Sequence, residues 1–449
     1  MQRGYEVNPL QGNILKNMII FALPIMGATL LQMLFSAADT VVIGNFGHEG
    51  AISAIGVSAA VINLLVGGVA SLGAGVTVAI GKLYGQGEKE KITRLLHTLP
   101  LTAAVLGGTL SLVVIFCADP ILRWMNCPQA IYGDAKNYFC IYFLGVPLSL
   151  VFTFLSNAVQ AKGNSLTPLL FQIGASIVNI CLNLLFVIVF DWNIVGVAVA
   201  TVIAEALSMI ALVAFLMRQK DELHLSLSKL TLFRGTKEIF SIGIPSSLEG
   251  MAMNLSGTII AAAINSFDAA VIAGNTIATT IEGLMVVSFT GFANASVVFI
   301  SQNYGKGNFK RVRQVYKTTL MAVFLGAEAL GILIYMASSF LVRLFTANTA
   351  EMQYAQTRMF YMCLFFGLCG VMNVISGCVR GLGEARLPLI ISILCSVVFR
   401  ITWIYTYAAQ QGTIEAIYIS YPICWGLCVL LNMLAFHIVF KRKTLKNCH

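Results

Sequence analysis

Apolar residues in this chain come in long unbroken blocks, not at the three-and-four spacing of a helix with one wet face. Twelve such blocks can be marked off, at 17–43, 51–81, 96–117, 137–161, 163–190, 192–217, 239–265, 269–303, 318–342, 359–379, 387–411 and 416–440. At 1.5 Å per residue, about 20 residues of helix cross the apolar layer of a bilayer. The expectation is an all-α membrane protein of twelve transmembrane helices. Connectors such as Lys162-Gly163-Asn164 and Asp191-Trp192-Asn193 are short enough to join antiparallel neighbours. The long polar connector 218–238 carries Arg218, Lys220, Asp221, Glu222, Lys229, Arg234, Lys237 and Glu238, and divides the blocks six from six.

A repeat runs across that division. Tyr84-Gly85-Gln86-Gly87 returns as Tyr304-Gly305-Lys306-Gly307, and Ser156, Gly163 and Pro168-Leu169 return as Ser376, Gly383 and Pro388-Leu389, all at an offset of 220. Leu23-Pro24 returns as Ile244-Pro245 at 221. Nearly constant offsets over this length imply two homologous six-helix lobes, 1–217 and 239–449, joined by a cytoplasmic linker at 218–238. An even number of helices makes both lobes enter from the same side, which gives a parallel repeat with a V-shaped central cleft between the lobes. The Tyr-Gly-x-Gly loops lack the Gly-Lys-Ser/Thr of a phosphate-binding loop, and each precedes a basic run (Lys89–Arg94 and Lys310–Arg313) expected to form a surface helix.

Composition agrees with this frame: 449 residues, 58% hydrophobic and 10% charged, against about 25% charged in soluble domains. With the N-terminus placed inside, the inner connectors hold 23 of the 28 Lys and Arg, Arg3 among them. The outer ones hold Arg123, Lys136, Arg343 and Arg358, and Arg400 lies within a block. That asymmetry orients both termini to the cytoplasm and makes the chain a multi-pass protein of the cell (inner or plasma) membrane. It also accounts for the net charge of +9 without a nucleic-acid partner. The eleven Cys are scattered with no Cys-x-x-Cys, and a Cys117–Cys127 disulfide is not expected. The first block is too long for a secretory signal and lacks a cleavage site.

Five acids fall inside the blocks: Asp39, Glu205, Glu249, Glu282 and Glu328. A carboxylate at that depth costs at least ~2.5–3.5 kcal/mol on insertion scales, so each marks a candidate function. Asp39 shares a helix face with Gln32 and Ser36, and Pro24 further back is a candidate hinge. Asn179 and Asn183 lie one turn apart, as do Thr201 and Glu205, at depths that match Asp39. These oxygens suit a hard cation, with Na⁺ candidate ligands at Asp39, Asn179, Asn183 and Thr201, or the carboxylates exchange H⁺. The alternative is a set of separate interhelical hydrogen bonds worth about 0.6 kcal/mol each. Asp39 has no twin in the second half, where positions 259 and 260 are both Ile. Glu249, Glu282 and Arg400 lie near mid-depth there. One reading pairs Arg400 with one glutamate and leaves the other to attract a cationic substrate; Gln32 and Ser36 are further cavity candidates. The five His (His48, His97, His224, His437, His449) are dispersed, so a membrane-embedded enzyme lacks its catalytic cluster and no cofactor is called for.

Pro24, Gln32, Asp39-Thr-Val-Val-Ile-Gly44, the duplicated Gly-x-Gly loops and the Gly163–Pro168 and Gly383–Pro388 turns resemble the MATE family of multidrug and toxic compound extruders. The resemblance covers nearly the whole chain. It implies two six-helix lobes that act as a monomer and export small cationic amphipathic compounds by antiport with H⁺ or Na⁺. In the DinF-type branch it implies a cation site at Asp39, Asn179, Asn183 and Thr201. Asn183 stands where that branch has an acid, and Glu205 is the carboxylate expected to compensate. The NorM-type helix 10 acid is missing, since there is no acid between Glu351 and Glu384. The rival reading is a flippase for a lipid-linked precursor, which would need a cationic cavity.

Overall fold

A computed structural model describes residues 6–48 and 50–446, side chains of Ala60 and Lys446 excepted; Arg3 and His449 lie outside the described residues. The described residues form helices joined by short connectors. We number the spans α1 (Ile14–Phe46), α2 (Ala51–Ala70 continued by Gly73–Gln86), α3 (Leu99–Phe116), α4 (Tyr132–Lys162), α5 (Leu166–Val189), α6 (Asn193–Met217), α7 (Lys237–Ile264), α8 (Ala269–Gly305), α9 (Phe309–Met336), α10 (Thr349–Cys363 and Phe366–Gly381), α11 (Arg386–Gln411) and α12 (Ile414–Leu445). Eleven of them are continuous apolar helices, and α10 is a pair bent by 48° that completes the expected twelve.

The repeated motifs are helix stops. Gly87 and Gly163 end α2 and α4 with φ of 75° and 116°, and Gly307 and Gly383 follow α8 and α10 at 74° and 79°. Only glycine takes that left-handed conformation cheaply, so the second glycine of each Tyr-Gly-x-Gly is the one the turn demands. The next helices are then capped: Asn164 Oδ1 accepts from Thr167 N–H, and Asn308 Oδ1 from Arg311 N–H, both at 3.0 Å. The two basic runs differ. Lys89–Leu96 is a separate short helix before α3, whereas Lys310–Arg313 lies within α9, so the second expected surface helix does not form.

The described residues divide into two compact units, one of 27–240 with Glu6, the other of 7–26 with 241–446. α1 belongs to both. Its first part is built into the second unit, where Met18, Phe21 and Ala22 are buried, the Thr319 hydroxyl approaches Met18 Sδ at 3.0 Å and Phe21 meets Phe299 edge-on. Its later part belongs to the first unit, and the change falls between Met26 and Gly27, just after Pro24. The connector after α6 is fastened to the first unit. His97 Nδ1 donates to the Thr93 carbonyl at 2.6 Å, which leaves Nε2 to accept from Ser226 N–H at 3.0 Å. Lys162, at the end of α4, bonds Glu6 at 3.1 Å and Asp221 at 2.5 Å.

Each unit is organised around its fourth span. In the first, α2, α3 and α6 pack on α4; in the second, α8, α9 and α12 pack on α10. The hubs differ: α4 runs as one helix through Pro147, while α10 is broken between Cys363 and Phe366. Glycines allow the close approach that apolar helices use where no hydrophobic force separates protein from lipid. A Cβ on Gly107 would lie 2.6 Å from Pro147 Cα, and one on Gly331 would lie 2.1 Å from the Cys363 carbonyl. Gly331→Ala must therefore push α9 off the break in α10, and we expect a loss of about 1–3 kcal/mol. Gly326→Ala on the same helix, with nothing within 4 Å of the added carbon, is the control and should leave the melting temperature unchanged or slightly raised.

Candidate functional site

Asp39 meets α5, and Thr201 of α6 reaches the same cluster through Asn179. α1 presents Asp39 from its last two turns, and α5 brings Asn179 and Asn183 to it on successive turns. The Asn183 amide donates to Asp39 Oδ1 in a short hydrogen bond. The Asn179 carboxamide accepts from the Asn183 amide at 3.2 Å and donates to the Thr201 hydroxyl at 3.4 Å. The Thr201 hydroxyl donates to the Val197 carbonyl at 3.0 Å, which leaves its lone pairs free to accept. Asn183 is fully buried, and its Oδ1 has no hydrogen-bond partner. A buried carbonyl oxygen without a donor is rare and costs free energy, so something is expected to face it. Carboxylate, amide oxygen and hydroxyl together are the ligands a small hard cation takes.

Glu205 does not join this cluster. Its carboxylate lies against Gly145 of α4, where an added Cβ would come within 2.9 Å of Oε2, with Ser149 nearby. Two tyrosines absent from the sequence-based set lie near these acids. Tyr138 and Tyr142, one turn apart on α4 with ring centroids 6.1 Å apart, both lie within electrostatic reach of Asp39, and Tyr142 also of Glu205. Their four-residue spacing is the signal that could have revealed them. Gln32 and Ser36 are exposed and make no side-chain hydrogen bond to other described residues.

In the second unit the charges pair differently from the expectation. Arg358, assigned to an outer connector because its apolar block begins at 359, is 4% exposed within the first part of α10, which starts ten residues earlier at Thr349. It donates to Glu282 at 2.6 Å and to Asn275 Oδ1 at 2.7 Å, over the faces of Tyr418 and Tyr421. Glu249 is held by Arg380 at 3.0 Å and by the Ser376 hydroxyl at 2.6 Å. Neither glutamate pairs with Arg400 and neither is left free, because helix breaks and inter-helix approach bring nearer arginines to both. Glu328 accepts from Gly367 N–H at 2.8 Å, the donor that the break in α10 leaves exposed. Among the described residues, no group of three or more His, Cys, Asp or Glu is placed to hold a metal, and Cys117 and Cys127 are free thiols.

Two repeats of apolar spans, the first bearing an acid in its first span, define a polytopic membrane protein built by duplication. The family model for MatE matches residues 24–185 and again 245–406, one match in each repeat, and the chain belongs to that family of multidrug efflux transporters. It is not an enzyme. Among curated relatives it is similar to the multidrug export protein MepA of Staphylococcus aureus strain MRSA252, 25% identical over 447 residues that span 96% of this chain and 95% of that one. It is likewise similar to MepA of Staphylococcus saprophyticus, 22% identical over 439 residues, 97% and 96% of the two chains. Among solved structures, the Vibrio cholerae MATE transporter VcmN in the bent form shares the fold with a TM-score of 0.87 at 20% identity, over 96% of this chain and 98% of that one.

Proposed function

We propose that this chain exports small cationic amphipathic compounds in exchange for H⁺ or Na⁺, that the coupling ion binds at Asp39, and that transport proceeds by alternating access. The observation that carries this reading is the Asp39 cluster, with the Asn183 amide on a carboxylate oxygen and the buried Oδ1 of Asn183, unpartnered among the described residues, beside it. Glu249 and Glu282 are each engaged by an arginine, whereas Asp39 has no cationic partner among the described residues. Ion and cationic substrate then compete for the same charge, which is the minimum an antiporter requires. Pro24 serves as the hinge, since α1 passes from one unit to the other within three residues of it. Lobes 1–217 and 239–449 with the linker 218–238 act as one monomer in the cytoplasmic membrane, with both termini inside; the Lys and Arg distribution supports that orientation.

The test is transport of a fluorescent organic cation in proteoliposomes, with H⁺ and Na⁺ gradients imposed one at a time. Accumulation is expected with one gradient and not with an equal KCl gradient. Equal uptake with no ion gradient would refute antiport.

A further inference from the structure

Arg400 is the charged group the transport reading leaves unused. It is 6% exposed, and no carboxylate among the described residues pairs with it. Its Nη1 donates to the Ser256 hydroxyl at 2.8 Å, and Ser256 donates in turn to the Ser396 carbonyl. The guanidinium carbon stands 4.3 Å from the ring centroid of Tyr421, and Nε has no partner. An unpaired cation buried this deeply is costly and calls for a reason.

The repeat supplies one. Pro168 and Pro388 correspond at an offset of 220, but α11 carries a π turn at Ile393–Val398, between Pro388 and Arg400. In α5 the π turn lies later, at Leu185–Val189, beyond Asn179 and Asn183. A π turn takes one extra residue into a helix. Past Val398 the correspondence becomes 221, the offset at both ends of the two family matches, and Arg400 falls at the place of Asn179. The surroundings agree. Asn179 meets Thr201 of α6, and Arg400 meets Tyr421 of α12, the neighbour of Pro422, which corresponds to Thr201 at 221. Asp39 corresponds to Ile259 or Ile260, and Ser256 lies one turn before Ile260 on α7. The second unit has thus lost the carboxylate of the first and gained a fixed positive charge among the remaining oxygen and ring ligands.

We infer that the Arg400 guanidinium is a tethered cation, seated in the second repeat's counterpart of the Asp39 site, and that it closes that counterpart to mobile ions. On the premise that Asp39 binds the coupling ion, each chain then has a single coupling site of this kind. A cation over Tyr421 and against Ser256 is held by ring quadrupole and hydroxyl, and needs no ion gradient to fill it.

Chemical rescue tests the assignment. Purified Arg400→Ala should melt several degrees below the parent and regain most of that loss in methylguanidinium chloride, by mass action on the vacated seat. Methylammonium or NaCl at the same concentration should not restore it, and the parent protein should not respond. Failure of methylguanidinium to exceed methylammonium would overturn the assignment. A second measurement stands if the alanine variant does not fold. Ion-induced stabilisation of the parent should saturate as one site and vanish in Asp39→Asn. A saturable ion response that survives in Asp39→Asn and disappears on adding Ser256→Ala would place a mobile ion in the second repeat and refute the tethered cation. A response that survives both changes would place the mobile ion outside both seats, refuting the Asp39 premise while agreeing with a second-repeat seat closed by Arg400.

Discussion

Asp39→Asn should abolish ion-driven accumulation of substrate while leaving a folded protein. One elementary charge moving down about 100 mV releases ~2.3 kcal/mol, which at 1.4 kcal/mol per decade sustains roughly a fortyfold substrate gradient. Without a titratable, ion-binding carboxylate that coupling is lost, and the accumulation ratio should fall from about fortyfold to unity at such a driving force. The asparagine keeps the shape of the side chain, and its amide can still face Asn179 and Asn183. Folding should therefore be preserved, and the melting temperature in the absence of the coupling ion should change little. The measurement is substrate accumulation in vesicles at a set gradient, alongside thermal melting of the same preparation. Undiminished accumulation would sink the Asp39 assignment. Asn183→Asp is the informative companion: it adds a carboxylate where Oδ1 now lacks a partner, and ion affinity should rise.

The second large effect is structural. Glu282 and Arg358 form a buried ion pair at 2.6 Å, with Arg358 also bonded to Asn275 and lying over two tyrosine rings. Removing one partner of a buried pair leaves an uncompensated charge and typically costs about 3–5 kcal/mol. Glu282→Ala should accordingly destabilise the second unit by that order, visible as lower yield of folded protein and a lower melting temperature. Glu282→Ala with Arg358→Met should recover much of the loss, because an apolar pair of similar volume has no charge to desolvate. If Glu282→Ala were instead neutral for stability and selectively harmful to substrate binding, Glu282 would be a substrate ligand and the pair incidental.

The spans, the lobe repeat and the Asp39–Asn179–Asn183–Thr201 set were legible because they depend on local or periodic features. Apolar blocks mark helices, glycines with positive φ end them, and side chains one turn apart share a face. Glu205 illustrates the limit. It lies one turn from Thr201, and spacing alone offered it to Asp39, yet the groove at Gly145 accepts its carboxylate against α4, near Ser149. The spacing of Tyr138 and Tyr142 puts both on one face of α4, but a sequence does not say which residues that face meets.

Sequence by itself determined the membrane class, the two repeats, the places where helices must stop, and the carboxylate around which ion binding is argued. These follow from hydropathy, glycine stereochemistry and the cost of charge in an apolar medium, none of which needs a partner helix. Tertiary structure alone decided how the charges pair. Arg358 sits inside α10 because that helix begins before its apolar block, and Glu249, Glu282 and Arg400 are sorted by which helices a break or a glycine lets approach. A π turn shifted Arg400 by one residue onto the place of Asn179. Pairing depends on contacts between residues distant in sequence, and one residue of register or a few ångströms of approach changes the partner.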